Sequence, residues 1–362
     1  MVYKVIGIMS GSSLDGMDIV YTELQEKTGG WDFEIKHASC IAYDKAWERK
    51  LQEAVDLTAK DYLLLHIDYG QFTGQKINEF IDENKLHHQV NLISSHGHTT
   101  FHLPQNKMTH QLGDGAAIAA ETKLPVVSDL RSMDVAFGGQ GAPIVPLGEK
   151  LLFGNYNYFL NIGGIANISI NKENEMIAFD VCAANRVLNM LAGEKGLAYD
   201  DEGKTSSLGS INEDLFQKLN ALDYYKLPHP KSLANSFGTD KVFPLLKSFS
   251  IKIEDRLRTY TEHICEQIKK SLQPYKSDEV QKLFITGGGA FNTFLVERLQ
   301  KNLEEMNFEI FIPDNEVVQY KEALIMALLG VLRWREQYTV LASVTGAIRN
   351  SIGGALWLGT EA

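Results

Sequence analysis

Three glycine turns, each at the end of an apolar strand-like run, constrain the fold of this chain more than any other feature. The middle one is the most complete. Tyr158 to Ile162 reads as a buried strand and Gly163-Gly164 as a tight turn. Ala166, Ile168 and Ile170 then alternate with Ile165, Asn167 and Ser169, the period of a half-buried partner strand. Bare backbone N–H groups at such a tip suit a phosphate. Ala178-Phe179-Asp180 closes the stretch, and Asp180 at the end of the next strand can reach whatever the hairpin holds. An ordinary hairpin followed by a helix-capping Asp fits the same residues.

The early turn is Ser10-Gly-Ser-Ser-Leu-Asp-Gly16, between a strand over Lys4–Met9 and its returning partner over Asp18–Leu24. Its small residues let backbone approach a phosphate closely, and Asp15 and Asp18 could hold Mg²⁺ through water. A polar hairpin without a ligand is the plainer reading. The late turn follows a strand over Lys282–Thr286: Gly287-Gly288-Gly289, with Phe291-Asn292 opening a helix. A strand–turn–helix unit can hold a phosphate or a flat heterocycle at the helix N-terminus. Asn at 292 breaks the GxGxxG pattern and disfavours a dinucleotide fold, and Ala198 removes the glycine that Gly203-Lys-Thr205 would need as a P-loop.

Between these turns, Leu63, Ile67, Gly70, Gly74, Ile77 and Ile81 recur at helical spacing. Asn91–Ser95 reads as a short strand ending on His96-Gly-His98-Thr99. With His102 and His110 nearby the patch is rich in imidazole, yet no carboxylate or thiol completes a familiar zinc spacing. A ligand-facing loop at a strand's carboxyl end fits better. Residues 113–121 read as a small-residue helix and 125–129 as a strand. The glycine-rich stretch 130–143 reads as a crossover loop, in which Arg131 and Asp134 form an ion pair or touch a substrate. Leu227–Ser232 reads only as a turn. Glu254–Leu272 carries a helix with Leu257, Tyr260, Ile264 and Ile268 on its apolar face. Tyr320–Trp334 reads as a helix with Glu322 in its first turn, where a carboxylate favours the helix N-terminus.

The 362 residues are enough for two domains, and with 44% hydrophobic and 22% charged residues the chain has an ordinary globular balance. A net charge of −11 without a basic run disfavours nucleic acid. The three cysteines, Cys40, Cys182 and Cys265, form no CxxC pair and point to a reducing compartment. With neither a signal peptide nor a membrane-length apolar run, a cytoplasmic protein is expected.

The ordered series of segments resembles the anhydro-N-acetylmuramic acid kinases. It comprises Met9-Ser-Gly-Ser-Ser-Leu-Asp-Gly-Met-Asp18, Ser95-His-Gly-His-Thr99, Gly113-Asp114, Asp129-Leu-Arg131 with Asp134, and Gly138-Gly-Gln-Gly-Ala-Pro143. It continues through Asn161-Ile-Gly-Gly-Ile-Ala-Asn-Ile-Ser169, Gly287-Gly-Gly-Ala-Phe-Asn292, Glu322-Ala323 and Ser343-Val-Thr-Gly-Ala347.

The resemblance implies an α/β protein of the two-domain actin-like ATPase and sugar-kinase fold with an interdomain cleft. Residues 1–128 with 343–362 would form the first domain and 129–342 the second. It implies a kinase that opens 1,6-anhydro-N-acetylmuramic acid with ATP and water, giving N-acetylmuramic acid 6-phosphate and ADP in cell-wall recycling, as a homodimer. Gly11, Ser12, Ser13, Leu14, Asp15, Gly16, Met17 and Asp18 would hold ATP phosphates, together with Gly163, Gly164 and Asn167. Gly287, Gly288, Gly289 and Asn292 would take the adenosine side, with Mg²⁺ at Asp15 and Asp18 through water. Asp180 would be the general base, and His98, Thr99, Arg131 and Glu322 would line the sugar pocket. Where relatives carry Asp-Thr-Gly-Pro-Gly-Asn, this chain has Asp180-Val-Cys-Ala-Ala-Asn185; both glycines are gone, which requires that those two backbone positions avoid positive φ. That departure keeps a non-enzymatic sugar or ATP sensor as the alternative, beside an actin-like ATPase or chaperone.

Overall fold

The computed structural model describes residues 1–11, 14, 16–172, 175–229 and 231–359. The chain forms two compact units, Met1–Gly154 with Tyr320–Ala362, and Asn155–Gln319. Unit 1 holds β1 (Val2–Ser10), β2 (Gly16–Lys27), β3 (Gly30–Ala42), β4 (Leu92–Leu103), β5 (Met108–Leu112), β6 (Val126–Ser128) and β12 (Ala355–Trp357). Its sheet runs β12-β6-β4-β1-β2-β3, with β5 on β4. Unit 2 holds β7 (Tyr158–Ile162), β8 (Ile165–Lys172), β9 (Glu175–Ala183), β10 (Gln281–Thr286) and β11 (Phe308–Phe311), ordered β11-β10-β7-β8-β9.

The two sheets repeat one plan. Three strands meander antiparallel, β1-β2-β3 and β7-β8-β9. Two more then add in parallel beside the first, β4 and β6 in one unit, β10 and β11 in the other. This duplication is the actin-like architecture. It puts the early and middle glycine turns at the same place, between the first two strands of each repeat. Gly97 in β4 and Gly287 after β10 are likewise equivalent, and both have positive φ, 74° and 82°.

Several expectations need correction. The domain boundaries fall at 154/155 and 319/320, not at 128/129 and 342/343. The reason is packing: the helix Asn315–Trp334 lies directly on the first sheet. A Cβ on Gly7 would stand 2.1 Å from the Ala323 carbonyl oxygen, and one on Gly330 2.5 Å from Ser94 Cβ. The helix Pro146–Leu152 meets it in the same way, with Gly148 against Ile325. That long helix starts five residues before Tyr320, so Glu322 sits in its third turn, away from the helix N-terminus. The strand predicted over 91–95 runs on to Leu103, because β4 leaves its parallel pairing with β1 at His98 and pairs antiparallel with β5. In the helix Ala59–Glu83, Leu63 and Ile67 are exposed while Leu65, Tyr69, Thr73 and Ile77 are buried. In the helix Ile253–Leu272 the expected face, Leu257, Tyr260, Ile264 and Ile268, is buried throughout.

One ion pair lies inside unit 1. Lys321 Nζ donates to Glu149 Oε1 at 2.6 Å, with both side chains 2% exposed, and Glu149 Oε2 has no hydrogen-bond partner among the described residues. Removing one partner strands a buried charge, whereas an apolar pair needs no desolvation. Lys321→Met should cost about 3–5 kcal/mol in urea unfolding, and Lys321→Met with Glu149→Leu should recover most of it. Equal losses in the single and double variants would show that the pair is not what the site needs.

Candidate active site

In unit 2 the register assembles a row of polar side chains on one face. Thr286 of β10 lies beside Asn161 of β7, Asn161 opposite Asn167 of β8, and Asn167 opposite Asp180 of β9. Residues directly paired across a sheet share a face. The alternate positions Ala166, Ile168 and Ile170 are fully buried in the core below. Asn167 and Asp180, predicted separately, are therefore neighbours.

Asp180 is half-buried and lies three residues before the end of β9. Its Oδ2 accepts the Leu233 N–H at 2.8 Å. Its backbone N–H donates to the Lys231 carbonyl at 3.1 Å, and its carbonyl accepts from the Tyr224 hydroxyl at 2.7 Å. Burial pushes the carboxyl up to about 6, against the lowering effect of the Leu233 N–H. A carboxyl so tuned is ionised near neutrality yet basic enough to take a proton. Lys231 lies within, and Leu233 just beyond, the stretch Leu227–Ser232 that reads only as a turn in sequence, since both hold Asp180 through backbone groups.

Glycines border this row. At Gly287 a Cβ would stand 2.5 Å from Asn161 Oδ1, and at Gly289 2.3 Å from Ile162 Cγ2, so the fold itself demands both. At Gly163, Gly164 and Gly288 the nearest atoms would be 3.5 Å away or more. None of these three has positive φ. Neither sterics nor conformation of the free chain requires glycine there, and the space a Cβ would take stays open to a ligand. Thr286 Oγ1, buried at the end of the row, has no hydrogen-bond partner among the described residues. Open glycine backbone and an orphaned hydroxyl fit a phosphate-bearing ligand. The Asn292 side chain is occupied within the fold, where its Oδ1 caps the helix Thr293–Leu303 by accepting from Leu295 N–H. Cys182, a strand residue, and Ala184, with φ −131°, stand where relatives carry glycine, and neither position has positive φ.

In unit 1, Ser12, Ser13 and Asp15 lie outside the described residues. Gly11 and Asp18 are half-buried beside the turn, and Leu14 has φ +61°. Met17 is buried in the core, so only its backbone faces outward. Gly16 is required by its neighbours, since a Cβ would stand 2.7 Å from the Ile41 carbonyl. His98 is not at a loop tip. It is 5% exposed and ends a buried hydroxyl chain, Tyr69–Tyr43–Ser10–His98, with contacts of 2.5, 2.7 and 3.0 Å. Burial pushes its pKa down to about 4. Thr99 Oγ1 accepts from Gln111 Nε2 at 3.4 Å.

Arg131 Nε donates to His96 Nε2 at 2.8 Å, and the His96 ring in turn bonds the Gly97 carbonyl through Nδ1. Burial brings Arg131 down to about 10, with Glu322 and Asp134 acting the other way. Glu322 is pushed up by burial, opposed by Lys321 and Arg131. Arg131 and Glu322 thus belong to one electrostatic cluster. Asp134 is structural: its carboxylate accepts from Gly141 N–H at 2.8 Å and Thr345 Oγ1 at 2.7 Å. A cavity of about 180 Å³ is lined by Ser95, His96, Asp129 and Trp357, beside the His96–Arg131 contact.

Comparison with known proteins bears on all of these segments at once. A family model described as anhydro-N-acetylmuramic acid kinase matches residues 3–359. The anhydro-N-acetylmuramic acid kinase of Aliivibrio fischeri is 32% identical, over 98% of this chain and 99% of that one. The kinases of the same name from Haemophilus influenzae and Sulfurimonas denitrificans are each 30% identical, over 94% and 97% of this chain and 94% and 98% of theirs. Among solved structures, the activator of 2-hydroxyisocaproyl-CoA dehydratase from Clostridium difficile aligns over 93% of this chain and 96% of its own, at 16% identity and a TM-score of 0.47, too loosely to bear on function. With the family match running through both sheets and all three glycine turns, the chain belongs to the anhydro-N-acetylmuramic acid kinase family.

Proposed function

We propose that this sugar kinase opens the anhydro bridge of 1,6-anhydro-N-acetylmuramic acid with water while phosphorylating the released 6-oxygen from ATP, with Asp180 as general base. The observation that carries the reading is the half-buried carboxylate at about 6, in the polar row beside an open glycine hairpin. Asp180 takes the proton of a water whose oxygen bonds to the anomeric carbon. The bond from that carbon to the 6-oxygen breaks, and the 6-oxygen bonds to the γ-phosphorus as the bond from that phosphorus to the β,γ-bridging oxygen breaks and ADP leaves. The products are N-acetylmuramic acid 6-phosphate, ADP and a proton.

Gly163, Gly164 and Asn167 would take the phosphates and Gly288 the adenosine side. Gly11 to Asp18 would add the early turn's backbone. Asp18 and Asp15 would hold Mg²⁺ through water, and the ion when bound supplies positive charge against the phosphates. Thr99, Arg131 and Glu322 would meet the sugar, while His98 acts through Ser10. A cytoplasmic homodimer completes the reading; no helix among the described residues is long and apolar enough to cross a membrane.

Asp180→Asn should lower kcat by a factor of about 10²–10⁴ with ATP affinity nearly unchanged. Near-normal turnover in that variant would move the base elsewhere.

Gly288→Ala tests the nucleotide assignment. The nearest atom to its Cβ is 3.5 Å away, so thermal stability should hold. ATP affinity measured by calorimetry should fall by about tenfold as the methyl blocks backbone approach. Unchanged affinity removes Gly288 from the site.

His98 should be neutral over the working range, because its folded pKa of about 4 lies below pH 5.5. The pH dependence of the sugar KM from pH 5.5 to 8.5 should therefore be parallel in wild type and His98→Gln. An inflection near pH 6.5 present only in the wild type would contradict the burial of the ring.

A further inference from the structure

Strand β9 is the edge of the second sheet, and an edge strand usually leaves outward N–H and C=O groups to water. At Asp180 they are taken. Tyr224, His229, Lys231 and Leu233 cover this stretch of edge with four contacts on two consecutive residues. The His229 ring stacks on Phe179 with centroids 5.2 Å apart and planes 15° apart. The Lys231 carbonyl receives the Asp180 N–H, the Tyr224 hydroxyl donates to the Asp180 carbonyl, and the Leu233 N–H reaches Oδ2.

The segment is fastened to itself and to the core. Lys231 Nζ lies 4.6 Å from the centre of the Tyr224 ring, and the Leu233 side chain is 7% exposed within the unit 2 core. Among the described residues only Oδ2 of the carboxylate carries a hydrogen bond. One oxygen is thus fixed, which fixes the plane and direction of the other.

We propose that Tyr224, Lys231 and Leu233 act as a positioning strap: they hold Asp180 by its backbone and one carboxylate oxygen so that Oδ1 is presented to the attacking water, and so set the pH at which the base works. This rests on the reading of Asp180 as the base. A hydrogen bond to the ionised carboxylate stabilises the charged form, so its loss makes the group protonate at higher pH. The other titratable groups facing Asp180 are Cys182, Tyr224 and Lys231. Burial pushes the thiol and the phenol up, so both stay neutral while the carboxyl titrates, and burial brings Lys231 down, opposed by Cys182.

The test replaces Leu233 by its α-hydroxy acid, which deletes the N–H and keeps the side chain in the core. kcat/KM for the sugar is followed from pH 5 to 9 at saturating Mg-ATP. A hydrogen bond to a charged group is strong enough that its loss should move the acid limb up by about one pH unit. Activity at pH 6 then falls about fivefold while the plateau above pH 8 changes much less. Tyr224→Phe keeps the ring and removes only the hydroxyl. It should move the limb in the same direction by a smaller amount, and it tests the strap even if the ester variant fails to fold. A merely structural strap would lower the melting temperature and leave the limb in place. An unmoved limb in folded Tyr224→Phe, or in the folded ester variant, overturns the proposal. Full activity in Asp180→Asn would instead remove the reading on which it rests, so the two failures are distinguishable.

Discussion

The closeness of one helix to one sheet governs unit 1. The helix Asn315–Trp334 comes within backbone contact of β1 and β4 because Gly7 and Gly330 present no side chain at the crossing. Protein interiors pack at crystal-like density, so a single methyl at such a crossing must displace backbone. That approach brings Lys321 to Glu149 and sets Glu322 in the field of Arg131. Ionisable side chains at this depth are tolerated only with partners fixed in place, and the glycine contacts do the fixing.

Unit 2 solves a different problem. A base must be dry enough to be basic and wet enough to meet water. Asp180, the proposed base, stands at the edge of a sheet: core residues lie beneath it, Asn167 beside it, and the Lys231 carbonyl and Leu233 N–H cover the edge. A central strand would bury the carboxylate, and an uncovered edge would leave it fully hydrated. The value of about 6 reflects that intermediate position.

The strand–turn pattern and the placing of Asp180 at a strand end beside the hairpin are legible in the sequence because both are local. Gly163-Gly164 sits in a hairpin whose alternation is short-range, and the buried face of Ile253–Leu272 follows the helical period. What sequence hides is non-local. Glu322 looks like a first-turn residue until the five residues before Tyr320 are seen to be helical. β3 is missed although Trp31, Phe33 and Ile35 alternate with Asp32, Glu34 and Lys36 at the period of a half-buried strand. His98 looks like a loop ligand, since nothing local shows that β4 continues through it towards Ser10. Leu233 contributes an N–H, which every residue but proline carries, so no side-chain pattern could reveal it.

The path of the chain through the units has a consequence for biosynthesis. Unit 2 is a continuous stretch, Asn155–Gln319, whereas unit 1 needs both Met1–Gly154 and Tyr320–Ala362. On the ribosome the second sheet can close as soon as its own residues emerge, while the first sheet waits for the helix that seals Gly7 and for β12, which pairs with Val126–Ser128. Until then the apolar face of β1 and β4 stands uncovered for the time needed to translate about half the protein. The nascent first unit is therefore the species that chaperones must shield.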